Sequence, residues 1–429
     1  MLFRTVVSII ALFASLVLLV LGNGMLGTVA ALRLELEGFE TGVAGMILAL
    51  FSVGFVLGSI YGVQVVQRVG HIRAFAAFGA VAAAVTLIHP LHISIAGWML
   101  LRLVLGFCIA GLMLVTESWT NARATEENRG MLLATYMVLF FLAASSGQFI
   151  IALGDPGLHH LFMIAAILIS LSLVPLSLTK SPSPEMEESE RTGISTLWRA
   201  SEVSVAGAFL SGTALSAFSA VGPIYALQIG LEVDQVAVFM GIAILTAMAF
   251  QWPIGYLSDY LPRRLVLTGV AAGAVLAGAV AGQFGEHSTL VLYAGVAIFY
   301  GFTACIYPIS LALAYDTLDQ RSILPASATF LLISGVGTIA GPILGGAAVS
   351  FIGPGGLFLF IAGALVLLLL VAAHALAFQK APPVEEQAHC AGIAPVTTPV
   401  LMELDPRNED FEPLSEAEAP EPGDEGAQP

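Results

Sequence analysis

The sequence is poor in charged residues. Only 10% of its 429 residues are Asp, Glu, Lys or Arg, whereas 58% are hydrophobic. A soluble domain usually carries about a quarter charged residues. Because a chain of this composition cannot cover its surface with polar groups, we exclude a soluble globular fold.

Cysteine is also scarce, with Cys108, Cys305 and Cys390 far apart in the chain. This spacing predicts neither a disulfide framework nor a metal site. No nucleophile and base pair is discernible, so we predict no enzyme and no cofactor. No G-x-x-x-x-G-K-[ST] loop occurs, which argues against ATP as an energy source. Because the last fifty residues are strongly acidic, we expect no nucleic-acid partner.

Long apolar runs, in contrast, recur along the whole chain. A helix needs roughly 20 apolar residues to cross about 30 Å of hydrocarbon. The sequence therefore predicts an all-α membrane protein with twelve transmembrane helices. The runs lie near residues 6–31, 42–66, 74–90, 94–119, 130–153, 159–178, 203–228, 235–257, 265–284, 289–314, 325–351 and 356–378. We interpret the first run as a retained span, since it is too long for a signal-peptide core.

Basic residues fall on alternate connections between these runs. Cytoplasmic loops collect Lys and Arg, so the pattern predicts a multi-pass protein of the cell inner (plasma) membrane with both termini cytoplasmic. Of the 15 basic residues only Arg33 and Arg102 depart from it. The residues that follow the pattern are Arg4, Arg68, Arg73, Arg123, Arg129, Lys180, Arg191, Arg199, Arg263, Arg264, Arg321, Lys380 and Arg407.

The chain divides into two similar halves and two polar segments. We predict a six-helix bundle at 1–178, a cytoplasmic loop at 179–202, a second six-helix bundle at 203–380 and a disordered tail at 381–429. Residues 380–429 contain twelve acidic and two basic residues, so they carry -10 of the net charge of -15. Such a Pro- and Glu-rich segment is typical of disorder.

Several motifs resemble those of the major facilitator superfamily (MFS). The segment from Gly255 to Arg264 is similar to its loop motif G-x-L-a-D-r-x-G-r-[RK], and Arg102 to Gly106 is similar to its R-x-x-x-G motif. The stretch from Glu117 to Arg123 resembles the YcaD-like branch, whose members mostly lack an assigned substrate. The resemblance implies the MFS fold, with twelve helices in two six-helix pseudo-repeats, and a secondary transporter.

Two charged residues of the fourth span are candidates for substrate binding or coupling. Arg102 and Glu117 lie 15 residues apart, which places them on one helix face about 22 Å from each other. Arg102 could bind an anionic substrate group or favour the charged form of a nearby carboxylate; alternatively it only extends toward the membrane interface or donates to carbonyls. Glu117 could pair with cytoplasmic arginines and act as a gate, or it could form a structural ion pair.

Neutral polar residues and a polar turn complete the candidate site. The neutral candidates could line a substrate pocket, but buried amides and phenols also join helices by hydrogen bonds. They are Asn23, Gln148, Gln251 and Tyr300. The residues predicted to form a gating latch could equally serve only to fix topology. They are Asp259, Arg263, Arg264 and Arg123.

These observations favour a secondary active transporter that works by alternating access. The few charges within spans favour a neutral, amphipathic or anionic small molecule, and the expected coupling partner is a proton. Efflux of a drug or metabolite is one direction, and import stays open. We expect a monomer in the lipid bilayer. The alternative is a transporter-like receptor or regulatory protein that signals through its cytoplasmic tail.

Overall fold

The computed structural model describes residues 2–178, 192–318, 322–378, Gln387 and 397–405. Within these ranges the chain forms thirteen α-helices. They are α1 (Leu2–Leu36), α2 (Thr41–Val69), α3 (His71–Ile88), α4 (Ile95–Asn121), α5 (Arg129–Ile150), α6 (His160–Ser177), α7 (Ile194–Ala200), α8 (Glu202–Gln228), α9 (Val233–Tyr260), α10 (Arg263–Phe284), α11 (Thr289–Tyr315), α12 (Ile323–Ile352) and α13 (Gly356–Phe378).

Twelve of these helices are long and apolar enough to cross a membrane, which confirms the predicted all-α fold. Hydrocarbon offers no partner for backbone N–H and C=O groups, so a chain within it satisfies them internally as helix. Helices extend past the apolar runs; α1 ends at Leu36, not near residue 31. The remaining helix, α7, is too short to cross a membrane and lies within residues 179–202, the segment predicted to be a loop. Residues 179–191 of that segment lie outside the described residues.

The spans form two bundles, α1–α6 and α8–α13. Helices within each bundle approach closely where glycine removes the side chain. A β-carbon at Gly106 of α4 would collide with the backbone of Phe51 and Phe55 in α2. Small residues allow close helix approach in membranes because van der Waals packing, not hydrophobicity, drives association there.

The assembly has an arginine-rich end and an opposite end. The arginine-rich end carries the α2–α3, α4–α5 and α9–α10 connections, with Arg68, Arg73, Arg123, Arg129, Arg263 and Arg264 in or beside them. The opposite end carries the α1–α2, α3–α4, α5–α6, α8–α9, α10–α11 and α12–α13 connections, which contain no Lys or Arg. The structure therefore keeps the charge asymmetry predicted from the sequence.

Hydrogen bonds join the two bundles near the opposite end. The backbone N–H of Gly42 in α2 donates to Ser350 Oγ of α12 at 2.8 Å. Gln228 Nε2 of α8 donates to Thr41 Oγ1 at 3.1 Å, and Ser145 Oγ of α5 donates to the Gly241 carbonyl of α9 at 2.9 Å. These contacts hold the bundles together at this end.

Part of the predicted disordered tail is ordered at the arginine-rich end. Pro399–Leu404 form a 3-10 helix that contacts α4 and α5 of the first bundle and α12 of the second. Leu401 and Leu404 are fully buried. The prediction of disorder therefore does not hold for residues 397–405, because their apolar side chains fill space between the bundles.

We predict that Gly45→Ala destabilises the protein by about 1 to 3 kcal/mol, the usual cost of overpacking. A β-carbon at Gly45 would collide with the Pro342 carbonyl oxygen of α12. Gly269→Ala is the matched control, since nothing lies within 4 Å of that β-carbon position. Thermal unfolding in detergent should show a lower midpoint for Gly45→Ala only; equal midpoints would contradict the close approach.

Candidate functional site

A cavity of about 350 Å³ lies between the two bundles. Its walls come from α1, α2, α4 and α5 on one side and from α8, α9, α11 and α12 on the other. Thr397 and Pro399 of the C-terminal segment also line it. Most of the lining is apolar, with hydroxyl and amide groups interspersed. The polar residues of the lining are Asn23, Thr28, Ser52, Ser59, Arg102, Gln148, Ser216, Ser219, Gln251, Tyr300, Thr338 and Thr397.

The structure brings five of the six predicted substrate or coupling residues to this cavity. They are Asn23, Arg102, Gln148, Gln251 and Tyr300. Gln148 also joins helices as the alternative interpretation expects, because its Nε2 donates to the Gly24 carbonyl at 2.9 Å and its Oε1 accepts from Thr28 Oγ1 at 2.7 Å. A role in substrate binding stays a prediction for all five residues.

Arg102 is the one lining residue with a formal charge among the described residues. Its side chain lies over the Phe51 ring, with the guanidinium carbon 5.3 Å from the ring centroid. It is 5% exposed, and its Nε has no acceptor among the residues that the structure describes. A buried guanidinium in this setting can donate to an acceptor that enters the cavity.

His89 lies near Arg102, at the C-terminal end of α3. It is packed against the rings of Trp98 and Phe162. Burial, with a smaller contribution from the positive charge of Arg102, lowers the pKa of His89 to about 4. The neutral ring donates from Nδ1 to the Val85 carbonyl at 2.8 Å.

Glu117 lies outside the cavity lining, fully buried near the end of α4. Its Oε1 accepts from the Tyr136 hydroxyl at 2.9 Å. Its Oε2 accepts from the Thr398 backbone N–H at 2.9 Å and from the Thr398 hydroxyl. The sequence predicts cytoplasmic arginines as partners of Glu117; the contacts that the structure describes come from α5 and from the C-terminal segment.

The predicted latch residues lie at the arginine-rich end. Arg263 Nη2 of α10 is 3.5 Å from Asp259 Oδ1 at the end of α9. Arg263 also pairs with buried Asp316, which follows α11, and Arg264 donates to the Ala375 carbonyl of α13 at 3.3 Å. These partners all belong to the second bundle, whereas Arg123 lies beyond α4 in the first.

Three partners in this region were not predicted from the sequence. Asp316 pairs with Arg263, and Tyr136 donates to Glu117. Only the presence of these polar residues within or beside apolar helices could have indicated that they have buried charged partners. Thr398 was assigned to the disordered tail. The signal in that segment is the mostly apolar run from Val400 to Leu404, which precedes the acidic residues between Asp405 and Glu425.

Comparison with known proteins gives consistent family matches. The family model described as Major Facilitator Superfamily matches residues 12–323 and 205–404. A protein of Escherichia fergusonii named uncharacterized MFS-type transporter YcaD is 27% identical over 336 residues, which cover 78% of this chain and 87% of that protein. Its counterpart in Salmonella arizonae is 26% identical over 333 residues, covering 77% and 86%.

Solved structures show the same fold. The nucleoside transporter NupG superimposes with a TM-score of 0.68 at 16% identity, covering 87% of this chain and 100% of that one. A bacterial homolog of the human lysosomal transporter Spinster, in an inward-facing and occupied conformation, has a TM-score of 0.72 at 14% identity, covering 89% and 98%. At these identities the likeness supports the fold alone.

We predict that Asp316→Ala destabilises the protein by about 3 to 5 kcal/mol, because it leaves a buried arginine without its buried partner. Asp259→Ala is the matched control; its carboxylate is 16% exposed and pairs with the same Arg263 at the longer distance, so we expect about 1 kcal/mol or less. Chemical or thermal unfolding of the purified variants measures both. Equal losses would contradict the dominant role of Asp316.

The lowered pKa of His89 predicts a loss of stability in acid. The unfolded chain binds the proton with a pKa near 6.5, and the folded chain with a pKa of about 4. The contribution of neutral His89 to the free energy of unfolding is therefore complete above pH 6.5. It is lost as the pH falls toward 4, by at most about 3 kcal/mol. Unfolding midpoints between pH 7.5 and 4.5 should vary less in His89→Phe. His92→Phe, at an exposed position of the same loop, is the control that should match the unmodified protein.

Proposed function

The chain belongs to the major facilitator superfamily, and we propose that it is a secondary active transporter that moves a small solute across the cell inner membrane by alternating access. The single observation that supports this most is the cavity between the two bundles. In such transporters the solute site lies at the interface of the repeats, and one bundle rocks against the other around it. A monomer suffices for this, since both walls come from one chain.

We assign the arginine-rich end to the cytoplasm, with both chain termini on that side. The assignment rests on the alternation of basic loops. The direct hydrogen bonds between the bundles described above lie near the opposite end. In this orientation they hold the outer side shut, and the cavity belongs to an inward-facing state.

The solute that fits best is a small amphipathic molecule with an anionic or acceptor-rich group. Arg102 would hold that group, because it carries the one formal charge of the described lining. The apolar walls, with Phe51 and Phe55, would contact the remainder. Asn23, Gln251 and Tyr300 would orient polar substituents. A cavity of about 350 Å³ is within the usual range for small-molecule sites.

We propose a proton as the coupling ion. Glu117 is a buried carboxyl on the same helix as Arg102, and its partners come from two other parts of the chain. A group in this position can exchange its hydrogen-bond donors for a proton when the bundles rearrange. A pH gradient would then bias the direction of transport.

The polar turn between α9 and α10 would act as the gating element. Asp259, Arg263 and Arg264 fix this turn to α11 and α13 of the second bundle. Arg123 lies on the facing bundle at the same end. In the outward-facing state we expect this turn to approach the first bundle and close the cytoplasmic side.

One observation favours a second candidate function. The C-terminal segment reaches the cavity through Thr397 and Pro399, so a receptor could report occupancy of the cavity through its tail. Reconstitution separates the two functions. Solute flux in proteoliposomes supports transport, whereas solute binding without flux, together with tail binding to a cytoplasmic protein, supports the receptor.

An untargeted metabolite comparison between cells that lack and cells that overproduce the protein tests the function first. A solute that accumulates in the lacking strain indicates efflux, and one that is depleted indicates import. The identified solute is then used for flux measurements in proteoliposomes with and without a pH gradient. Absence of any difference in metabolites and of any flux would contradict the transporter.

We predict that Arg102→Met lowers flux of an anionic solute by about 10- to 100-fold, because a hydrogen bond to a charged group contributes about 1.5 to 3 kcal/mol. Arg102→Lys should retain part of the flux, since lysine keeps the positive charge but lacks the planar guanidinium group with its paired N–H donors. Arg68→Met, at an exposed position outside the cavity, is the matched control. Unchanged flux in Arg102→Met would remove Arg102 from solute binding.

A further inference from the structure

We propose that Glu117, Tyr136 and Asn121 form a binding site for the chain's own segment 397–405, and that the bound segment covers the arginine-rich mouth of the cavity. In this proposal the segment leaves the site before a solute passes. This proposal rests on the proposed transport function, because the segment would regulate access to the same cavity.

The segment is buried as deeply as the helices around it. Thr398, Leu401 and Leu404 are 0% exposed, and Met402 is 2% exposed. Leu401 and Leu404 are part of the same apolar core as the spans. A tail that only rested on the surface would keep these side chains accessible, so the burial indicates a specific seat.

The binding site contacts both the backbone and a side chain of the segment. Glu117 Oε2 accepts from both the N–H and the hydroxyl of Thr398, and Asn121 Nδ2 donates to the Val400 carbonyl. Glu117 and Asn121 are four residues apart on α4, so they lie on one face. That spacing matches a peptide that enters extended at Thr398 and turns into a 3-10 helix at Pro399.

The position of the segment places it where the bundles must move. It contacts α4 and α5 of the first bundle and α12 of the second, while Thr397 and Pro399 face the cavity. Alternating access changes the separation of these helices at one end. A segment held by both bundles therefore opposes that change until it is displaced.

Displacement also has a chemical requirement. Two of the three described donors to the Glu117 carboxylate come from Thr398, and the third comes from Tyr136. A buried carboxylate that loses hydrogen bonds is destabilised unless another donor replaces them. A proton would supply the replacement, so the segment and the coupling proton compete at Glu117.

Cysteine protection in the full-length protein tests the site. Cys390→Ser removes the tail thiol, and Met402→Cys then reports on the segment through its reaction with fluorescein maleimide in proteoliposomes. We expect it to react at least about tenfold more slowly than Glu126→Cys, which lies in an exposed loop at the same end. Thr398→Val should raise the Met402→Cys rate by about tenfold, the equivalent of one hydrogen bond to a charged group.

The matched control is Thr135→Val, whose hydroxyl donates within α5, to the Met131 carbonyl. Equal rates for Met402→Cys and Glu126→Cys, or equal effects of Thr398→Val and Thr135→Val, would overturn the binding site. Ser216→Cys, in the cavity lining, tests coverage of the mouth. The Ser216→Cys thiol should react faster when combined with Thr398→Val than with Thr135→Val. Equal rates would overturn the proposal that the segment covers the mouth of the cavity.

These labelling rates involve no transported solute. If flux measurements fail while the protection pattern holds, the proposed transport function is wrong and the intramolecular site stands. If flux is found but Met402→Cys is unprotected, transport stands and the regulatory segment is wrong. The two failures are therefore distinguishable.

Discussion

A charge buried among transmembrane helices is costly unless the chain supplies a partner for it. This constraint accounts for much of the polar arrangement in the described part of the chain. Arg33 pairs with Glu37 at the opposite end, and Arg263 pairs with two aspartates at the arginine-rich end. Glu117 receives donors from α5 and from the C-terminal segment. Arg102 contacts a ring face and the open cavity, which is why solute binding is proposed there.

The helical fold could be predicted from the sequence because its signals are local. Each span is an apolar run, and the alternating basic residues fix which connections share an end. The C-terminal segment could not be predicted in this way. Its contact between Thr398 and Glu117 spans 281 residues of sequence, and composition describes the tail as a whole. The short, mostly apolar run from Val400 to Leu404 is outweighed in that composition by the twelve acidic residues of 380–429.

Five of the six predicted substrate or coupling residues line the cavity, but the pairings of the buried polar groups could not be predicted. Polar residues in mid-span have few places to lie other than a bundle interior or a cavity, so Asn23, Gln148 and Gln251 could be selected by position alone. Pairing depends on which helices are neighbours and on their rotation. For that reason Tyr136 was not assigned to Glu117, and Asp316 was not assigned to Arg263, although each lies in or beside an apolar run.

The helix α4 connects the two proposed events, since it carries Arg102 at the cavity and Glu117 at the C-terminal segment. About 22 Å separates the two residues along a continuous helix, so a solute at Arg102 and the segment at Glu117 do not need to touch to influence each other. In the proposed transport cycle, rotation of the first bundle would move both residues as parts of one helix. A solute that favoured one orientation of α4 would thereby change the fit of the segment, and by thermodynamic reciprocity the bound segment would change the affinity for the solute to the same extent.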